Sequence, residues 1–181
     1  MPGVLDEPVV VADLGSGWGR IGHVLALANP QAVYCALDLP ESLVIASAEL
    51  PRRLPGRRVV GYDDTREVER FARAELLDGG GALRFHGPQD LARFEPGSID
   101  VLLNVASFQE MTRAQVSAYL ELVGGAARAV YLQERWRAPG IADAVGGWEE
   151  YDVPAGWTRR FLRDVAFSAD FFEAGFLTAQ A

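Results

Sequence analysis

Residues Val9 to Gly19 read VVVADLGSGWG, an apolar run that ends in an acid and passes into a loop with glycine at every second position. A run of this kind describes the first strand of an α/β sheet turning directly into a helix. Gly15, Gly17 and Gly19 lack the Cβ atoms that would hold a ligand off the backbone, and they permit the positive φ values that a tight strand-to-helix turn needs. The turn is therefore where a nucleotide-type ligand would meet main chain. Gly17-Trp18-Gly19-Arg20-Ile21-Gly22 also satisfies the dinucleotide pattern G-x-G-x-x-G, so the glycines alone leave the ligand open.

Asp13, at the carboxyl end of that strand, separates the alternatives. A dinucleotide places its pyrophosphate at this turn, and an adjacent carboxylate would repel it. A cationic amino group would be attracted instead. S-adenosylmethionine (SAM) carries an α-ammonium and a sulfonium and suits an acid beside a glycine turn. A second acid, Asp38, ends the next apolar run, Ala32 to Leu37, some 21 residues beyond Gly17, where a carboxylate at the tip of a second strand would take both ribose hydroxyls of a nucleoside. The plainer alternatives are a helix cap for Asp13 and a turn residue before Pro40 for Asp38.

A chain of 181 residues reads as one domain, 1–181, large enough for a real core. No apolar run approaches the ~20 residues of a membrane helix, and the start MPGVLDEP has neither the basic nor the apolar region of a secretory signal. The expectation is a cytoplasmic protein that does not engage a membrane. A net charge of −8 disfavours nucleic acid as a partner. The single cysteine, Cys35, falls inside a predicted buried strand, and two distant histidines with one cysteine give no zinc spacing.

Further along, helical spacing of Ile21, Val24, Leu25 and Ala28 predicts a helix from about Trp18 to Ala28. A second opens at Pro40 and stops before Pro51. Val59–Tyr62 and Ala82–His86 are both strand-like, separated by a predicted helix over Thr65–Leu77; only one is needed as third strand, and 82–86 is favoured. Ile99–Val105 is a central strand, and Thr112-Arg113-Ala114-Gln115 is a capping box that starts a helix at Thr112. The residues between, ASFQEM, then form a loop at the carboxyl edge, where open α/β sheets bind ligands. Ala129–Gln133 is a fifth strand, and beyond it the chain reads as irregular.

D-L-G-S-G-W-G resembles the first motif of class I SAM-dependent methyltransferases. SIDVLLNVASFQEMT followed by a helix carrying Tyr119, with LDLPESL after the second strand, resembles the sugar O-methyltransferase family of bacterial class I enzymes. The similarity spans Val9 to Arg135, with a weaker echo in VPAGWTRRFLRD. The resemblance implies a Rossmann-like α/β fold, a mostly parallel central sheet with helices on both faces. It implies SAM as cofactor, held by Asp13, Gly15, Gly17, Gly19, Asp38, Leu39, Gln89, Asp90 and Asn104, with adenine near Gly87-Pro88-Gln89-Asp90. The implied acceptor is a small molecule, a sugar or nucleotide-sugar, and a homodimer is left open. Class I enzymes usually carry N-terminal helices over the cofactor, whereas about eight residues precede the first strand here, so that cover is expected to be short or absent.

Methyl transfer to an alcohol needs alignment and a group to accept the proton. Glu110, in the SFQEM loop, is the first candidate base, with Gln109 and Ser107 orienting the hydroxyl; the alternative is a solvated acid near a helix N-terminus, weakened by the dipole. His86, at a strand tip, is the second candidate, against a purely structural histidine. His23 falls opposite the apolar face of its helix. Trp148 with Glu149 and Glu150 could form a sugar platform or pack into the core. Arg52, Arg53, Arg57 and Arg58 could attract a phosphorylated sugar or form a solvated helix end. Two rival functions stay in view: a SAM-fold module that binds without catalysis, and a nicotinamide-dependent oxidoreductase, which the lack of any lysine, and so of a Tyr-x-x-x-Lys pair, disfavours.

Overall fold

The computed structural model describes residues 7–137, 143 and 145–181. Among the described residues eight strands form one sheet: β1 (Val10–Leu14), β2 (Val33–Leu37), β3 (Arg58–Val60), β4 (Ala82–His86), β5 (Ile99–Val105), β6 (Ala127–Arg135), β7 (Thr158–Val165) and β8 (Ser168–Leu177). Their order is β3-β4-β2-β1-β5-β6-β8-β7. The six strands from β3 to β6 run parallel, and β8 joins β6 antiparallel with β7 antiparallel beyond it. Strands β1, apolar but for Asp13, and β2 are buried on both faces, as central parallel strands must be. Because β1 lies between β2 and β5, the chain leaves β1 in opposite directions on its two sides. That reversal opens a crevice at the carboxyl edge.

Among the described residues five α-helices flank the sheet: α1 (Arg20–Ala28), α2 (Pro40–Arg53), α3 (Tyr62–Arg66), α4 (Arg73–Leu77) and α5 (Arg113–Ala126). On one face, Ala26 of α1 and Leu43, Ala46 and Leu50 of α2 pack on Tyr34, Ala36, Leu83 and Phe85. On the other, Val116, Leu120 and Val123 of α5 pack on Leu14, Leu102, Val130 and Leu132. Helices thus cover both faces, although Val101, Leu103, Val105 and Tyr131, on the α1 side of β5 and β6, are only half-buried. No described helix is long and apolar enough to cross a membrane.

Several local expectations need correction. Both strand-like segments are strands: 82–86 sits beside β2, and 58–60 adds an edge strand outside it. The predicted helix over 65–77 is split into α3 and α4, because Phe71 between them bridges Phe94 and is buried in the core. Helix α2 runs through Pro51 to Arg53, since buried Leu50 and Leu54 hold its last turn on the sheet. The stretch after β6 contains the β7–β8 hairpin. Its alternation is masked by polar and aromatic residues on the exposed face of β7.

Candidate functional site

The carboxyl edge of β1, β2 and β5 encloses a cavity of about 440 Å³. Its wall comprises Gly15 and Gly17 after β1, Asp38, Leu39 and Ser42 after β2, Pro88 after β4, Ala106, Ser107, Glu110 and Met111 after β5, and Gln115 and Tyr119 of α5, with Leu14 and Leu37 beneath. The volume lies in the range of small-molecule and cofactor sites.

The glycine turn is built as its composition requires. Gly15, Gly17 and Gly19 all have positive φ, from 57° to 86°, which disfavours any residue with a Cβ. Their reasons differ beyond that. A Cβ on Gly15 would overlap the Ser107 side chain, and one on Gly19 would overlap Leu50. A Cβ on Gly17 would meet no protein atom within 4 Å, so this glycine turns bare backbone to open cavity. Gly19 caps α1 and is buried outside the cavity wall.

Asp38 stands at the rim and holds the turn. Its Oδ2 accepts the Gly17 N–H at 2.6 Å and its Oδ1 accepts the Leu39 N–H at 2.7 Å. Each carboxylate oxygen keeps a further lone pair for a ligand. Asp13 lies differently from the expectation. It is 1% exposed, beneath the turn on the α1 side of the sheet, and is absent from the cavity wall. Its Oδ2 accepts the Tyr34 hydroxyl at 2.6 Å, while Oδ1 has no hydrogen-bond partner among the described residues. Burial pushes its carboxyl up to about 6, against the Tyr34 hydrogen bond that lowers it and with Asp38 adding repulsion.

The β5–α5 turn forms the opposite wall. Asn104, fully buried, donates to the Leu14 carbonyl at 2.8 Å and to Ser107 Oγ at 2.7 Å, and accepts the Phe108 N–H at 3.2 Å. It stitches this turn to β1 and does not reach the cavity, contrary to its expected cofactor contact. Glu110 is exposed on the wall, and among the described residues its carboxylate has no ion pair or hydrogen bond. Gln109 lies apart from the wall, its Oε1 accepting the Arg135 N–H at 3.3 Å. The capping box at Thr112 and Gln115 forms as predicted and starts α5 beside the cavity.

His86 is not placed for catalysis. Its imidazole is fully buried against Phe71 and Phe94, at ring separations of 4.8 and 5.2 Å, outside the cavity wall. Burial, with Arg84 and Arg93 nearby, holds it down to about 3, so it stays neutral at ordinary pH. Asp90 is likewise committed inward, accepting the Gly87 N–H at 3.1 Å and pairing with Arg93, and Gln89 points to the Tyr62 hydroxyl at 3.3 Å. Only Pro88 of that segment lines the cavity. Trp148, half-buried, packs on Tyr151, Phe172 and Phe176 at the edge of the core and does not line the cavity. The arginine cluster is structural: Arg52 and Arg53 pair with Glu49, Arg57 donates to carbonyls at the end of α1, and Arg58 donates to the Asp78 carbonyl.

One residue escaped the sequence reading. Glu134, near the end of β6, is fully buried under the β5–α5 turn and accepts three of its backbone N–H groups. The available signal is an acid in the polar end, Gln133 to Arg135, of a strand whose middle, Ala129 to Leu132, is apolar.

No family model matches the chain, and no curated protein matches it in sequence. Solved structures do match in fold. The crystal structure of magnesium protoporphyrin IX methyltransferase from Synechocystis with bound SAM is 17% identical, with a TM-score of 0.60 over 98% of this chain and 73% of that one. A SAM-dependent methyltransferase from Aquifex aeolicus is 16% identical, with a TM-score of 0.58 over 97% of this chain and 85% of that one. The mitomycin 7-O-methyltransferase MmcR is 14% identical, with a TM-score of 0.60 over 95% of this chain, which spans 49% of that enzyme. The chain has the Rossmann-like fold of class I methyltransferases.

Proposed function

We propose that the chain binds SAM in the cavity and transfers a methyl group to a hydroxyl of a small acceptor, with a sugar as the leading class. The observation that carries the reading is the pairing of Gly17, bare backbone open to the cavity, with Asp38, whose carboxylate fixes that backbone from the rim. Together they form a cradle into which a Cβ would intrude. The acid at the tip of β2 has lone pairs to offer a ribose, and the likeness of fold to methyltransferases agrees with the cofactor.

SAM supplies, when bound, an electrophilic methyl group on a sulfonium. The protein's own part is to hold and to deprotonate. Glu110, exposed on the opposite wall and free of any partner among the described residues, is the group that can accept the hydroxyl proton. Ser107 and Gln115 offer polar groups for orientation, while Met111 and Tyr119 supply an apolar surface that excludes water. Among the described residues no arginine lines the cavity, whereas Asp38 and Glu110 do. That balance supports a neutral sugar over a nucleotide-sugar, whose phosphates would meet two carboxylates. The test is transfer of label from methyl-labelled SAM to a panel of neutral sugars and their phosphorylated counterparts, with methylated neutral sugar as the expected product.

A further inference from the structure

We propose that Glu134 is the positioning residue for the acceptor end of the cavity, its carboxylate holding the turn that presents Ser107 and Glu110. The inference rests on the SAM reading above. Glu134 Oε1 accepts the Ser107 N–H at 3.2 Å and the Phe108 N–H at 3.3 Å, and Oε2 accepts the Gln109 N–H at 3.2 Å. These three consecutive donors open the short 3₁₀ turn Phe108–Glu110, so no helical carbonyl precedes them to accept their bonds. The residue just before, Ala106, has φ of 58°, a left-handed conformation unusual for alanine, and its own N–H is tied to the Gln133 carbonyl. The backbone is therefore forced into a sharp turn and locked there from β6. Ser107 and Glu110, carried by that turn, both line the cavity.

A carboxylate is the side chain suited to this task, because it accepts on both oxygens and donates nothing. An amide of equal size would set an NH₂ against one of the three backbone donors. A leucine would fill the space and leave the Ser107 and Gln109 N–H groups unsatisfied, with Phe108 N–H kept only by Asn104 Oδ1. The arrangement is also expensive for stability alone. Burial pushes the Glu134 carboxyl up to about 8, the three backbone N–H groups work against that rise, and Glu110 across the turn adds repulsion. Tyr151, packed against the same core, faces Glu134 with a hydroxyl whose own pKa burial and Glu134 push up, and Phe172 pairs with Glu134 across the sheet. No cation bonds to it among the described residues. A buried acid kept in this setting is best explained by the wall it holds.

The test is calorimetric titration of SAM into the full chain and into Glu134→Gln between about pH 6 and pH 10, with amide hydrogen exchange at Ser107, Phe108 and Gln109. Wild-type affinity, relative to the variant, should rise as pH passes about 8 and all three hydrogen bonds become charge-assisted. The variant should bind roughly tenfold or more weakly at the upper end, and its pH profile should lack the step that Glu134 contributes. A folded Glu134→Gln with wild-type affinity and an unchanged pH profile overturns the assignment. Should the variant not fold, hydrogen exchange in the wild type decides: protection of the three amides that persists above that pH, where the carboxylate is ionised, supports it, and exchange at unprotected rates overturns it. Absence of SAM binding by the wild type at every pH would remove the cofactor reading, and the same exchange measurement would still decide the role of Glu134.

Discussion

Asp38 accepts the N–H of Gly17 at 2.6 Å, so the tip of β2 and the turn after β1 are fixed to one another by a single charged acceptor. The same carboxylate takes the Leu39 N–H, which aims it along the cavity rim. Asp38→Ala should therefore loosen the turn and remove the ribose acceptor together. A hydrogen bond to a charged group contributes about 1.5–3 kcal/mol, so SAM affinity should fall roughly tenfold or more. Calorimetry on the variant checks this, and an unchanged affinity would remove Asp38 from the ligand.

Two alanine substitutions in the glycine turn should behave differently. Both positions have positive φ and carry a backbone penalty of ~1–2 kcal/mol for alanine. Gly17→Ala adds a methyl group that meets no protein atom, so beyond that penalty its loss should be in SAM affinity. Gly15→Ala drives a methyl group into Ser107, so it should lower the melting temperature further as well as distort the wall. Equal effects of the two on stability would contradict the placement of Gly17 at open cavity.

How much of this was legible in the sequence depended on how local each signal was. The glycine turn, the acid that follows β2 and the Thr112 capping box are set by neighbouring residues, and each lies where the spacing placed it. His86, Asp90 and Trp148 are candidates in the sequence because their chemistry is visible there, but burial is a tertiary property. Phe71 and Phe94, separated along the chain, close over His86. Glu134 was missed for the converse reason: its partners are backbone N–H groups some 25 to 27 residues away, which no side-chain pattern records. The β7–β8 hairpin was hidden because β7 is an edge strand whose exposed residues, such as Arg159 and Arg160, break the apolar alternation.

Glu110→Gln should keep the fold and SAM affinity while kcat falls by about 10²–10⁴, the usual contribution of a general base. His86→Leu, which touches no lining residue's polar group, should leave kcat near wild type. A labelled-methyl assay on an accepted sugar compares them, and a small loss for Glu110→Gln would mean that transfer relies on proximity alone.

The buried titratable groups give stability opposite slopes with pH. His86 has its pKa lowered from 6.5 to about 3, so the unfolded chain takes up its proton first and stability is lost as pH falls across that window. Glu134 and Asp13 are raised, from 4.5 to about 8 and from 3.8 to about 6, so the folded chain keeps their protons longer and stability is lost as pH rises across those windows. Melting curves across pH should show His86→Leu relieving the acid-side loss and Glu134→Gln flattening the fall toward pH 8. A His86→Leu curve with the wild-type acid slope would contradict the burial of a neutral imidazole.

The central claim is that the Gly17–Asp38 cradle holds SAM. Calorimetry of the purified chain with SAM, S-adenosylhomocysteine and NAD tests it most directly. The expected result is binding of the first two at one site, weakened in Asp38→Ala, and no binding of NAD. Tight binding of NAD with none of SAM would contradict it.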